Sequence, residues 1–418
     1  MAVSFNKFFK RLGPGIITGA ADDDPSGIAT YSQAGAQSGF GLLWTVVLTW
    51  PMMVAVQSIS ARIGRVTGRG LAANMLDVFP KSLVAALVAL LFVANTINIG
   101  ADLAAMGAAV RLVAGGSQHL YTALFAVGLL AITVFVPYHR YVNVLKWLTF
   151  SLIAYIGIVF TVPIDWGAVA TGALLPRFAL SGETITLIVA VFGTTISPYL
   201  FFWQSSQEVE DEEADPEAAP LIDKPEQAKH ELGRIEWETM VGMLASNLVA
   251  FFIMLTTAVT LNAHGQTDIQ SSEQAAAALR PIAGDAAFLL FSIGIVGTGL
   301  LAVPVLAGSA AYAAGELFGW RIGLERTLGE ARGFYGVIAA AIVLGLVVDL
   351  SGLDPIKALV WSAVVNGVAV VPVLAAMMIV AVRPQQMGKF IASTTQRVFG
   401  WLTTVMMAVA AIAMFATM

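Results

Sequence analysis

The chain has 418 residues, 58% hydrophobic and 12% charged, with a mean hydropathy of +0.80 and a net charge of −5. A water-soluble domain carries about 25% charged residues, so a soluble globular fold is excluded, and the acidic balance argues against a nucleic-acid partner. The chain contains no cysteine, which removes disulfides, thiolate metal sites and cysteine nucleophiles.

Taken in chain order, the apolar runs predict an all-α polytopic membrane protein, because a backbone in lipid must satisfy its own hydrogen bonds and a spanning helix needs roughly 20 apolar residues. No alternating short strands suggest a β-barrel. The first ten residues are too short and polar for a cleavable signal. Eleven spans are expected, at 12–33, 41–61, 82–112, 118–137, 143–163, 183–207, 238–262, 282–314, 333–349, 355–381 and 397–418. Counting loops on alternate sides puts 18 of the 22 Lys and Arg with the N-terminus, and only Arg111, Arg177, Arg280 and Lys357 opposite. The positive-inside rule then makes the N-terminus cytoplasmic and, with an odd span count, the C-terminus extracytoplasmic. The longest polar stretch lies between spans 6 and 7, from Gln204 to Glu238, and holds Glu208, Glu210, Asp211, Glu212, Glu213, Asp215 and Glu217. It reads as a solvated cytoplasmic linker at 208–236, the alternative being a regulatory cation-sensing loop.

Two spans are interrupted. Span 1 contains Gly19-Ala20-Ala21-Asp22-Asp23-Asp24-Pro25-Ser26-Gly27, and span 6 contains Gly193-Thr194-Thr195-Ile196-Ser197-Pro198-Tyr199. Proline lacks the amide donor and glycine loosens the backbone. In a bilayer such breaks persist where they line a cavity, and in transporters the unwound carbonyls commonly coordinate ions. Breaks in spans 1 and 6 fall at corresponding positions of two five-span halves, the pattern of an inverted repeat. The expected organisation is therefore a first half at 1–163, a second half at 164–381 and an eleventh helix at 382–418. A carboxylate at the centre of a span costs roughly 2.5–3.5 kcal/mol. Asp22, Asp23 and Asp24 have no Lys or Arg at matching depth in spans 1, 6 or 10, so a bound cation is the expected compensation. Asp24 is the prime ligand, and a carboxyl kept neutral by burial is the alternative for each of the three.

The run Gly13-Pro14-Gly15, then Asp24-Pro25-Ser26-Gly27, then Gln33-Ala34-Gly35-Ala36-Gln37-Ser38-Gly39-Phe40 and Leu42-Leu43-Trp44, resembles helix 1 and its exit in the NRAMP family of divalent-metal transporters. Gln57 to Gly64 and Val66-Thr67-Gly68 extend the likeness through span 2. The resemblance implies a LeuT-type fold, a 5+5 inverted repeat with broken helices 1 and 6, and a plasma-membrane location (the inner membrane in a bacterium).

The departures are informative. The family's helix 1 carries Asp-Pro-Gly-Asn, whereas Ser26 and Gly27 follow Pro25 here; its helix 6 carries Met-Pro-His, whereas this chain has Ser197-Pro198-Tyr199. An amide and a soft thioether are thus missing. The expected ligands are all oxygen: the Asp24 carboxylate, the carbonyls of Ala21 and Thr194, the Ser197 hydroxyl, Asp23 and waters, with Gly27 leaving room. Such donors suit magnesium or manganese, and magnesium retains water most firmly. This chemistry is similar to that of the NRAMP-related magnesium transporters. Asp102, Asn366 and Thr195 are the candidate relay or outer ligands. Proton-coupled relatives also carry a Glu three residues after the span-3 Asp, the helix-6 His and a helix-9 Arg. Here Ala105, Tyr199 and a span 9 with no Arg after Arg332 stand instead.

The expected function is secondary transport of a hard divalent cation, Mg²⁺ first and Mn²⁺ second, without proton coupling and driven by about 4.6 kcal/mol per 100 mV on a dication. The alternatives are a proton-coupled Mn²⁺/Fe²⁺ symporter and an organic-solute or amino-acid symporter on the same fold, whose substrate carboxylate the three aspartates would repel. No Ser/His/Asp set, histidine pair or phosphate loop points to an enzyme, and no cofactor is implied. The ion and the lipid bilayer are the expected partners; the oligomeric state is left open.

Overall fold

The computed structural model describes residues 13–136, 148–176, 181–349, 352 and 354–417. Among them every regular element is helical. The long helices are α1 Pro14–Asp22, α2 Pro25–Ser38, α3 Leu43–Thr67, α4 Lys81–Ala114, α5 Gln118–Phe135, α6 Gly182–Thr195, α7 Pro198–Ala214, α8 Ala228–Thr260, α9 Ala287–Phe318, α10 Arg332–Asp349, α11 Pro355–Ala381 and α12 Thr394–Thr417. Eight described helical stretches are long and apolar enough to cross a membrane, and Arg332–Val347 is a shorter apolar one. The first of the eight joins α2 to α3 through the 3₁₀ turn Gly39–Leu42.

Both interruptions fall where the prolines stand. Span 1 is α1 and α2, separated by Asp23 and Asp24; span 6 is α6 and α7, separated by Ile196 and Ser197. The expected fifth span differs. Residues 143–147 lie outside the described residues, and Leu148–Phe160 is a 3₁₀ helix of 13 residues. At about 2.0 Å per residue it covers about 26 Å, close to the ~30 Å of a hydrocarbon core.

Burial separates a central layer from a lipid-facing one. The apolar window of Gly182–Ala214 is 94% buried inside the protein, against 22% for Gln118–Phe135. On the outer helices Val127, Phe135 and Ile412 are exposed, as lipid-facing side chains must be. In the centre α1 and α2 pack on α8, α6 on α11, α7 on α3, and α4 on α9, α10 and α11. Small residues permit the closest approaches. A Cβ on Gly19 would lie 2.4 Å from the Gly242 carbonyl of α8, and one on Gly193 would lie 2.1 Å from the Ala363 carbonyl of α11.

The solvated linker expected at 208–236 needs correction. Helix α7 continues to Ala214 and α8 begins at Ala228, and Glu208 and Glu212 are buried. Their positions, i and i+4, share one helix face. Glu212 pairs with Arg65 of α3 at 2.8 Å, and Glu208 with Arg234 of α8 at 2.6 Å. Glu231 bridges the two arginines at 3.4 and 3.1 Å, and Glu238 adds a 3.0 Å bond to Arg234. Paired charge lets these helices run on past the apolar window that sequence reading detects.

Candidate functional site

An α-helical carbonyl accepts from the amide four residues on. For Ala21 that residue is Pro25, and for Thr194 it is Pro198, so neither carbonyl has a donor in its own helix. Past each helix end the backbone leaves helical geometry. Asp23 (φ −81°, ψ 59°) and Asp24 (φ −75°, ψ 171°) cross the first break, Ile196 (φ −120°, ψ 68°) and Ser197 (φ −85°, ψ 136°) the second. Hydroxyl groups serve both carbonyls. Tyr199 Oη, in the first turn of α7, donates to Ala21 O at 3.1 Å. Ser197 Oγ donates to Gly193 O at 2.8 Å and to Thr194 O at 3.0 Å.

Asp24 caps α2. Its Oδ1 accepts from Gly27 N at 2.7 Å and Ser26 Oγ at 2.8 Å. Its Oδ2 accepts from Asn98 Nδ2 of α4 at 2.9 Å, and that same nitrogen lies 3.4 Å from Asp102 Oδ2. Ser26 Oγ is 3.4 Å from Thr194 Oγ1, so one hydroxyl links the carboxylate to the second break. Gly27 meets the site through its N–H, and a Cβ there would lie 3.3 Å from Thr194 Oγ1. Thr195 Oγ1 is engaged by Val191 O at 2.6 Å and Tyr31 Oη at 2.8 Å, which ties α2 to α6. Asp24, Thr194 and Ser197 are buried alike.

The other two acids turn elsewhere. Ser246 Oγ of α8 sits 2.6 Å from Asp22 Oδ2 and 3.0 Å from Asp23 Oδ1. Ser246 thus ties one oxygen of Asp23, the residue that closes α1, to α8. Asp22 Oδ1 and Asp102 Oδ1 have no hydrogen-bond partner among the described residues. Asn366 is buried on α11 beside Gly367, which packs against Gly193, and neither of its amide atoms has a partner there.

None of the ion pairs among the described residues reaches Asp22, Asp23, Asp24 or Asp102. Buried carboxylates without a basic partner must be neutralised, by a proton or by another cation. Among the described residues no three His, Cys, Asp or Glu side chains are arranged so that they could hold a metal ion. The groups that stand at the two breaks are carboxylate, carbonyl and hydroxyl oxygens, donors that suit hard cations. Sequence reasoning missed Ser246, although a polar residue inside the apolar run from Val241 to Asn262 is a signal; Asn98, which reads from sequence as interhelical hydrogen-bond glue, makes such a bond to Asp24.

A family model described as Natural resistance-associated macrophage protein-like matches residues 15–417. The chain belongs to the Nramp family. Among its Nramp relatives, a divalent metal cation transporter MntH of Klebsiella pneumoniae (strain 342) is 26% identical over 400 residues, covering 94% of this chain and 90% of that protein. An MntH of Yersinia pestis (strain Pestoides F) is 25% identical over 399 residues, covering 94% and 91%. In three dimensions the chain is similar to a mutant of the Eremococcus coleocola manganese transporter, with a TM-score of 0.75 at 18% identity over 99% of this chain and 87% of that one. It is also similar to Mhp1, a nucleobase-cation-symport-1 family transporter, with a TM-score of 0.54 at 12% identity over 97% and 93%. These likenesses support the LeuT-type fold with broken first and sixth helices. This Nramp chain is an integral multi-pass membrane protein.

Proposed function

We propose that this chain carries a divalent metal cation across the membrane, that Mg²⁺ is its preferred cargo with Mn²⁺ second, and that the movement is not coupled to protons. The observation that carries the reading is that Asp24, buried and without a basic partner among the described residues, stands at the break in span 1 and is linked through Ser26 Oγ to Thr194 at the break in span 6. The groups we assign to the site are the Asp24 carboxylate, the carbonyls of Ala21 and Thr194 and Ser197 Oγ, with retained water standing between the ion and the carbonyls. Asn366 and Asp102 form its outer circle, and Thr195 its structural support. Neither break carries a Met or His, which removes the donors that favour softer ions. Magnesium keeps most of its water in protein sites, so a single carboxylate with acceptors for water protons suits it. The two halves, 1–163 and 164–381, are assigned as the units that rock about this site, with the N-terminus cytoplasmic in a plasma membrane and the C-terminus outside.

A second reading, a proton-coupled manganese symporter, is favoured by one observation: Asn98 joins Asp24 to Asp102, a carboxylate placed to take up a proton. The two are separated by following Mg²⁺, Mn²⁺ and H⁺ in proteoliposomes under a set membrane potential. Electrogenic Mg²⁺ uptake without H⁺ movement is expected. Mn²⁺ uptake unaffected by excess Mg²⁺ overturns the magnesium assignment, and a stoichiometric proton flux overturns the uncoupled one. Asp24→Asn and Asp24→Ala are expected to abolish uptake in protein that still elutes as a single folded species; near-normal uptake removes Asp24 from the site.

A further inference from the structure

We infer that the Tyr199 hydroxyl determines which hydration state the site accepts: it occupies the Ala21 carbonyl and thereby selects for a dication that keeps its water. The inference rests on the ion site assigned above and adds the residue that sets its specificity.

Tyr199 is fully buried and lies on α7, whereas Ala21 lies on α1, so the bond at 3.1 Å crosses from one broken span to the other. A carbonyl oxygen has two lone pairs. The phenolic proton takes one and places its own positive end beside the oxygen. A bare dication docking on Ala21 O must therefore share the remaining lone pair against a nearby positive proton. A water molecule on a hydrated ion meets no such obstacle. It donates one proton to the second lone pair of Ala21 O and the other to Tyr199 Oη, which still has acceptor capacity. At the second break Ser197 Oγ shares its one proton between Gly193 O at 2.8 Å and Thr194 O at 3.0 Å, so Thr194 O is partly occupied. Hydroxyl protons thus face both proline-orphaned carbonyls, and what the breaks offer an ion is a cradle of acceptors for its water protons. Mg²⁺ dehydrates reluctantly and gains from such a cradle.

Tyr199→Phe keeps the ring and deletes only the hydroxyl, leaving Ala21 O open to direct coordination. The experiment measures kcat/KM for Mg²⁺ and Mn²⁺ uptake in proteoliposomes of wild type and Tyr199→Phe, with Asp24→Asn alongside. The expected result is a rise of about tenfold in the Mn²⁺/Mg²⁺ ratio, equivalent to about 1.4 kcal/mol. A ratio within twofold of wild type, a fall in the ratio, or a parallel loss of both activities assigns Tyr199 to structure alone and overturns the inference. Asp24→Asn tests the underlying site separately: if it retains uptake, the site itself is misplaced, whatever Tyr199→Phe does. Wild-type protein provides a check that needs no variant. Mn²⁺ bound to purified protein, read by electron–nuclear double resonance before and after exchange into D₂O, is expected to show exchangeable protons of directly bound water. A dehydrated Mn²⁺ overturns the inference.

Discussion

Replacing Arg65 by methionine tests whether the buried charges between α3, α7 and α8 hold the structure together. The guanidinium meets Glu212 at 2.8 Å, Gln227 at 3.0 Å and the Ala219 carbonyl at 2.6 Å, and Glu231 at 3.4 Å. Its side chain is 3% exposed and that of Glu212 is 8% exposed, so water cannot replace the lost partner. Breaking a buried pair by removing one member costs about 3–5 kcal/mol, because the remaining charge is left uncompensated. Replacing both members by apolar groups of similar volume is often neutral or stabilising. Arg65→Met alone is therefore expected to lose about 3–5 kcal/mol, and Arg65→Met/Glu212→Met to recover most of it. Equilibrium unfolding in mixed micelles of a mild detergent and SDS, run as a double-mutant cycle, reads the difference. A cost under about 1 kcal/mol for Arg65→Met, the scale of an exposed pair, refutes the reasoning. So does a double mutant whose loss equals the sum of the single losses, since contacting residues must couple.

Two further outcomes follow from the site and its packing. Ser197→Met is expected to move uptake preference towards Mn²⁺ or Cd²⁺ by on the order of tenfold, since a thioether favours softer ions; an unchanged ratio in the same flux assay means that Ser197 does not face the ion. Gly193→Ala puts a Cβ 2.1 Å from Ala363 O and 2.3 Å from Gly367 N, both backbone atoms. It is expected to cost about 1–3 kcal/mol in the same unfolding assay, the usual penalty of overpacking, and an unchanged stability refutes the close seam between α6 and α11.

The breaks are legible in the sequence because their cause is local. Pro51, Pro304 and Pro372 sit inside unbroken helices, whereas Pro25 and Pro198 follow short polar runs, and it is proline after such a run that marks a break. The acidic stretch after span 6 is not legible, because hydropathy measures how much of a helix matches lipid and says nothing of how far it continues. Glu212 stays helical and buried through Arg65, 147 residues earlier in the chain, and no local pattern announces that pairing. The partition of the three acids is illegible for a related reason. Three consecutive acids cannot share a face, but that Asp22 and Asp23 meet Ser246 while Asp24 caps α2 depends on how α8 packs against α1. The fifth span reads as an ordinary spanning helix from apolarity alone, and apolarity does not distinguish an α-helix from the 3₁₀ form.

The cost of an interrupted helix explains why the site and the scaffold use the same residues. A buried carbonyl with no donor costs about 1–3 kcal/mol, and the prolines create one in each broken span. Tyr199 and Ser197 offset that cost with hydroxyls, and Tyr199 does so across the gap between the two spans. The bond that satisfies Ala21 therefore also ties α1 to α7. From Tyr199 to Glu212 is 13 residues, or about 20 Å of helix at 1.5 Å per residue, and at that far end α7 is held by Arg65 and Arg234. One rigid helix thus connects the Ala21 carbonyl to the buried arginines. A change that loosens the arginine contacts must shift Tyr199 as well, so Arg65→Met should alter the Mn²⁺/Mg²⁺ ratio in the same direction as Tyr199→Phe. If Arg65→Met lowers stability while leaving that ratio untouched, α7 does not transmit the displacement and the two ends are independent.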